Sequence, residues 1–385
     1  MKKIQIILYG FCILLMCNCD SKLEEIAPED SLSAGVIFSN FGTIEAATLG
    51  VYDGLQDGDI SAQPAFVSDY MSDDVNFVGS FTTLQDIRDF DSNATNNSIA
   101  ATWFDIFDVT RDANNIIVNL PSVDFGSVTF SSTTSEEEFE AAKQQFVAEA
   151  RFCRALVYFT GVNLFAQPFQ INQGSNLGLP LVTEFFVGDI EPFKKERATL
   201  NETHAFIESD LLFGVDNLPS SNGIRATSAS AKALLSRLYL YREQWTSAAN
   251  MANDVINTSG VSLASDLSFY NATSSEHLFQ VINTSDDAAF GNDFDTFYNP
   301  TSNNGRGDLT MTEDLQNAFL AEPDDLRYTT LTYDDTDAGN LAARFTAKYP
   351  NGATNESDPN VLRVAEMYLN RAEANLRGGT SIGDT

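Results

Sequence analysis

From Thr227 to Ser259 the chain reads TSASAKALLSRLYLYREQWTSAANMANDVINTS, and no other stretch narrows the fold as far. Ala231, Leu234, Leu235, Leu238 and Tyr239 recur three and four residues apart. That spacing gathers side chains on one face of an α-helix. Trp245, Ala248, Ala249, Ala252, Val255 and Ile256 draw a second stripe, and Gly260 follows it. Thr227 and Ser228 carry the side-chain oxygens that cap a helix start. The small residues of the second stripe let two helix axes approach closely. The stretch therefore predicts two short helices folded back on each other.

Leu235-Ser236-x-x-Tyr239, with Ala248 nine residues on, follows the spacing of a tetratricopeptide unit; Ser236 stands where glycine is usual. An ordinary helical hairpin would carry the same stripes. In either case one hairpin cannot bury its own apolar face, so the chain must supply further helices to stack on it.

The sequence offers them. Thr43–Gln56 places Ile44, Ala47, Leu49, Val51 and Leu55 near helical spacing, with Thr43 as cap. Ala101–Leu120 marks a buried side with Trp103, Phe104, Phe107, Ala113, Ile116, Ile117 and Leu120, and Pro121 ends it. Glu136–Phe165 is the longest candidate. Its first three acids complement the positive end of the helix dipole, and Phe146, Ala150, Cys153, Leu156, Phe159 and Leu164 form its stripe. Thr199–Leu218 opens at Thr199 or Asn201 and closes at Pro219. In Leu362–Leu376, Val364, Ala365, Tyr368, Leu369 and Ala372 are in register. Glu276–Asn283 reads as a strand. Ser68–Phe81 and Asp286–Leu309 follow neither period and are rich in Asp, Asn and aromatics, so both read as loops.

The 43% apolar share and 29 Phe suffice for a large core. Lys and Arg number 22 against 54 Asp and Glu, a formal net charge of −32. Such a surface repels nucleic-acid phosphates and anionic lipid, so neither is an expected partner. His204 and His277 are the only histidines and read as surface or satisfied core residues.

Met1-Lys2-Lys3 followed by the apolar run Ile4–Met16 is a secretory signal peptide, too short to span a bilayer. The sequence turns polar directly after Cys19. This pattern resembles a bacterial lipoprotein signal, in which the cysteine becomes the acylated first residue. Multiple acyl chains would make a stable anchor. Cys153 is then the one other cysteine of the mature chain, so no internal disulfide is available and packing must hold the fold.

Several stretches together resemble the SusD/RagB family of Bacteroidota surface lipoproteins. Ala150–Glu184, ARFCRALVYFTGVNLFAQPFQINQGSNLGLPLVTE, is similar to the family's "ARFLRAL-Y-LV--FG…LG-PLVTE" region. Arg225-Ala226-Thr227 with ALLSRLYLYREQW resembles its central hairpin, and Thr43–Leu55 its early helix. Trp103 with Arg111-Asp112-Ala113-Asn114 resembles "W---Y---R-AN--I", and Leu362–Asn375 the C-terminal "LR-AE-YL--AEA". The resemblance implies a mainly α fold: tetratricopeptide-like hairpins in a SusD-like α-α superhelix, carrying long loops and a few short strands.

The expected divisions are a signal peptide at 1–18, a tether at 19–39, an N-terminal region at 40–220 and the hairpin with a C-terminal region at 221–385. The family continues past this last helix, so a fragment is expected. The resemblance further implies an outer-membrane lipoprotein, surface-exposed and lipid-anchored through Cys19. It would bind oligosaccharide or another nutrient such as peptide, pass it to a SusC-like TonB-dependent transporter, and catalyse nothing.

No nucleophile elbow, phosphate-binding loop, H-E-x-x-H or EF-hand pattern is present. A secreted acid-pair glycosidase stays open as an alternative, because 54 acids guarantee adjacent carboxylates such as Asp73-Asp74. Arg306-Gly307-Asp308 spells an adhesion tripeptide that chance explains. No cofactor is expected; Asp293 and Asp295 could hold a structural Ca²⁺ through oxygens. Sugar binding needs flat aromatic faces with carboxylates and amides nearby. The two loops supply the candidates: Asp69, Tyr70, Asp73, Asn76 and Phe77 in one, Phe294, Phe297, Tyr298 and Asn299 in the other.

Overall fold

The computed structural model describes residues 34–185, 191–270, 274–288, 293–336 and 342–383. Cys19, its signal sequence and most of the expected tether lie outside them. The described part of that tether already belongs to the folded body: Ala34–Ile37 is one helical turn and Phe38 is buried in the core. A large ring two residues before a helix cap has apolar surface to remove from water.

Helix α1 (Phe41–Gln56) starts at Asn40, whose Oδ1 accepts from Gly42 N at 2.8 Å and Thr43 N at 3.3 Å. Thr43 is not the cap; its hydroxyl donates back to Ile37 O. Ile44, Thr48, Val51 and Leu55 face inward, whereas Leu49 is exposed. After the one-turn helix Gly58–Ser61 come two short helices, α2 (Gln63–Tyr70) and α3 (Thr82–Arg88). Capped by Asn96, α4 (Asn97–Asn119) turns Ile106, Val109, Ala113 and Ile116 inward and leaves Phe104 outside. Its sequence is apolar on more than one face, and the neighbouring helix decides which face is covered.

The longest helix, α5 (Glu136–Phe165), carries a capping box between Ser135 and Glu138. It lies between α4 and α6 (Leu200–Asn217), which opens with a Thr199–Glu202 box rather than at Asn201. Both sides of α5 are therefore buried, Cys153 among them. Burial pushes that thiol well up, so it behaves as a small hydrophobe.

The hairpin is α7 (Ser228–Tyr241) and α8 (Trp245–Thr258). Ser236 is fully buried and donates to Ala248 O at 2.9 Å. Its small side chain keeps the axes close, and its hydroxyl finds an acceptor across the seam. Each long helix packs on the next: α1 on α4, α4 on α5, α5 on α6, α6 on α7 and α7 on α8. Helix α12, Val364–Gly378, covers α8. Between α8 and α12 come α9 (Phe294–Tyr298), α10 (Glu313–Leu320) and α11 (Leu326–Thr330). Helix α12 buries Val364, Met367, Asn370 and Ala374; the expected Tyr368 and Leu369 point outward. Two apolar stripes run side by side there, and α8 takes the one around Met367.

Strands are short and paired in twos, all antiparallel: β1 (Val75–Phe77) with β3 (Leu309–Met311), β2 (His277–Gln280) with β6 (Asn360–Arg363), and β4 (Thr332–Thr336) with β5 (Ala342–Thr346). The architecture is mainly α, as expected. No helix of the described residues is long and apolar enough to cross a membrane.

Candidate ligand-binding cleft

A second, smaller core lies apart from the helical one. Phe66 and Tyr70 of α2, Phe77 of β1, Leu84 and Ile87 of α3, Phe294 and Phe297 of α9 and Leu309 of β3 are all buried in it. Phe66 stacks on Phe297 with centroids 4.3 Å apart, and Tyr70 meets Phe77 at 4.8 Å. This aromatic floor joins the two stretches read as separate loops, and β1 pairs Asn76 with Thr310 above it.

On that floor sits an open cleft of about 1390 Å³, lined by Asp73, Asn76, Phe81, Arg88, Phe90, Arg306, Asp308, Glu313, Gln316 and Arg344. Gly79 is required at its edge, because a Cβ there would stand 2.6 Å from Asp308 Oδ1 and 2.7 Å from Phe77 Cε2. The guanidinium of Arg306 bonds Asp308 at 2.5 Å and lies 3.8 Å from the Phe81 ring centre and 4.7 Å from that of Phe297. It holds Phe81, half exposed, in one orientation.

Phe90 is the least expected residue of the cleft. Helix α3 ends in a Schellman motif: Asp91 N–H donates to Asp86 O at 2.8 Å and Phe90 N–H to Ile87 O at 3.1 Å. The motif puts Phe90 at φ 57°, where glycine is usual, and its side chain is 76% exposed. A bulky side chain in the left-handed region costs on the order of 1–2 kcal/mol. Exposing that ring gains nothing from burial. Strain without a packing return makes Phe90 a candidate for a functional position.

The cleft's charges are largely internal. Arg88 pairs with Asp89 at 2.8 Å and Arg344 with Asp334 at 3.0 Å. Tyr70, 2% exposed, has a hydroxyl with no hydrogen-bond partner among the described residues, and burial pushes its ionisation up.

The nine ligand-binding candidates scatter against this geometry. Asp73 and Asn76 are exposed on the cleft wall. Tyr70 and Phe77 line its base while packing in the small core; Phe294 and Phe297 are core residues outside its lining. A short helix and a strand give no period long enough to show in the sequence that these rings also pack in a core. Asn299 is also buried, donating to Asp295 O at 3.0 Å and Tyr349 O at 2.7 Å. Asp69 accepts the Tyr298 hydroxyl, and both line a different pocket of about 300 Å³. Phe81, Phe90 and Arg306 went unselected. Phe81 closes the very loop that was singled out, and Phe90 sits between two aspartates just past an apolar helix end.

The adhesion tripeptide is an internal ion pair with Asp308 buried. Asp293 caps α9 through Thr296 N at 2.7 Å. Asp295 accepts from Asn351 N and Ser357 N, both at 2.9 Å, and from the Ser357 hydroxyl at 2.8 Å. Those oxygens tie the 351–357 segment to α9. His277 Nε2 lies 3.0 Å from Phe269 O, and burial lowers its pKa.

Scaffold and cleft define a class of protein: stacked helical hairpins carrying an open cleft walled by short strands and helices. A family model described as SusD-like, "Starch-binding associating with outer membrane", matches residues 24–240, and the chain belongs to that SusD-like family. A SusD-like protein from Bacteroides ovatus is 25% identical over 273 residues, 68% of this chain and 45% of that protein. A SusD-like protein from Formosa agariphila is 25% identical over 280 residues, 68% and 48% of the two. The chain thus spans about half the length of the curated relatives it matches. A SusD superfamily structure from Bacteroides thetaiotaomicron is similar with a TM-score of 0.76 at 23% identity, over 90% of this chain and 78% of that one. A laminarin-binding SusD-like protein gives 0.69 at 21%, over 87% and 80%. At these identities the structural likeness establishes the fold.

Proposed function

We propose that this chain captures oligosaccharide in the β1–β3 cleft, at the outer surface of the outer membrane. It is held there through an acylated Cys19 and hands the ligand to a SusC-like TonB-dependent transporter without cutting it. The observation that carries the reading is Phe90, a strained ring held out into the cleft, with Phe81 clamped near it. Such rings match the C–H faces of pyranoses. Asp73, Asn76, Glu313 and Gln316 offer acceptors and donors for the hydroxyls. The aromatic floor holds the wall rigid, which lowers the ordering cost of binding.

Affinity electrophoresis tests it. Starch or laminarin in the gel retards the protein, and Phe81→Ala with Phe90→Ala removes the retardation. Unchanged mobility of that variant in the retarding gel would refute the cleft. For the anchor, palmitate labels the wild type and not Cys19→Ala. A large barrel protein co-purifies with the anchored form, and no reducing sugar is released from either polysaccharide.

A further inference from the structure

A second pocket, of about 350 Å³, shares no lining residue with the cleft. It opens among the helix ends of the scaffold. The end of α5, the one-turn helix Phe169–Asn172, the start of α6, the α7–α8 turn and α12 each contribute a wall. Its volume suits a small ligand.

Its chemistry is as specific as that of the cleft. Trp245, at the first position of α8, and Tyr241, the last of α7 and half exposed, form one aromatic side. Phe169 and His204 form another, with ring centres 6.3 Å apart and planes 26° from parallel. His204 is 3% exposed, and its Nδ1 has no hydrogen-bond partner among the described residues. Burial first, then Arg242, lowers its pKa to about 4, so at neutral pH the imidazole is uncharged. His204 thus lines the pocket as an uncharged ring whose Nδ1 is closed off from the open space.

The pocket is also pre-formed. Gln170 donates to Tyr241 O at 3.2 Å, which ties the one-turn helix to the end of α7. Gly378 lets the end of α12 press on Trp245, since a Cβ there would stand 2.6 Å from the Trp245 Cβ. Arg377 lies 5.5 Å from the Trp245 ring centre and pairs with Glu373 at 2.7 Å. At the mouth, Asn163 and Gln167 are exposed amides. Asn163 donates to Phe159 O at 2.8 Å.

Aromatic faces, amides, a neutral imidazole and one carboxylate–guanidinium pair are the groups that recognise a neutral polyol ring. We propose that this pocket is a second carbohydrate site, taking one or two sugar units of a neutral glycan. The assignment rests on the carbohydrate reading of the cleft. It adds a second point of attachment, so a long glycan held at both would bind with avidity.

The chain holds two tryptophans, Trp103 and Trp245, so Trp103→Phe leaves Trp245 as sole reporter. Titrating that protein with maltose and with laminaribiose should give a saturable emission change and protection from acrylamide quenching with one of them. The response persists when Phe81→Ala and Phe90→Ala disable the cleft. It weakens by about tenfold or more, some 1.4 kcal/mol, in His204→Phe, which fills the slot. Gln167→Phe, at an exposed position, gives the same loss should His204→Phe fail to fold. A silent Trp245 alongside cleft-dependent retardation in glycan gels overturns the second site and leaves the cleft. Failure of both readouts overturns the carbohydrate reading of the two together.

Discussion

A buried ion pair joins α5 and α6. Arg154 meets Asp210 in a two-pronged geometry, Nε to Oδ2 and Nη2 to Oδ1, both at 2.8 Å. The side chains are 5% and 2% exposed. Arg154 also donates to Asn114 Oδ1 on α4, and Asn114 in turn donates to Val182 O at 3.1 Å and Glu184 O at 2.9 Å. One guanidinium therefore ties three helices and the extended 182–184 segment. Burial pushes the Asp210 carboxyl up while Arg154 pulls it back.

Arg154→Met removes the positive partner and strands a carboxylate in the core, a loss of about 3–5 kcal/mol. Arg151, 3.7 Å from Asp210, keeps the loss toward the lower end. For the roughly 330 described residues unfolding together, at about 2.1 cal/mol/K each, 4 kcal/mol corresponds to a fall in Tm of about 6 °C. Arg154→Met with Asp210→Leu removes both charges and recovers most of it, leaving about 1 kcal/mol for the stranded Asn114 oxygen. Urea unfolding of the wild type, both single variants and the double variant measures this as a cycle. A single variant within about 1 kcal/mol of wild type, or a double variant no better than the singles, would refute the reasoning.

Phe90→Gly removes the left-handed strain and should raise stability by about 1 kcal/mol while weakening glycan retardation; a destabilised variant would show that the ring packs. Ser236→Ala should cost about 1 kcal/mol and Ser236→Leu about 3, read by urea unfolding, because only the second forces α7 off α8; equal losses would contradict the close-approach argument. Asp105 faces Asp57, Asp59 and Asp108, and burial together with their charge raises its pKa from 3.8 to about 6. The folded chain therefore holds that proton more tightly, and the stability it adds is full below pH 3.8 and fades as pH rises through 6. Asp105→Asn should gain roughly 1 kcal/mol at pH 7.5 after solvent screening and flatten the Tm curve between pH 4 and 6; a wild-type-like curve would count against it. In an NMR titration His204 should stay neutral until about pH 4, and a resonance titrating near its ordinary value that vanishes in His204→Phe would show the ring is solvated.

The scaffold was legible in the sequence because its helices are long. Each of α1, α4, α5, α6, α7, α8 and α12 repeats its apolar spacing over three turns or more, and several announce their ends with Ser, Thr or Asn caps and with Pro. Which face each helix buries was less legible: Leu49, Phe104, Tyr368 and Leu369 were all expected inside. Where a helix is apolar on two sides, its neighbour makes the choice, and neighbours are a tertiary matter. The cleft was legible only as two loops of suspicious composition. Its floor joins residues more than two hundred positions apart, such as Phe66 and Phe297. Nothing local separates a ring bound for that floor, Phe77, from one held in the cleft, Phe81. Phe90 shows the limit most clearly: its exposure follows from a helix-end hydrogen-bond pattern that exists only once α3 has formed and stopped. Periodicity is written along the chain; the direction in which a side chain points within a short, aperiodic segment is set by what the rest of the fold brings against it.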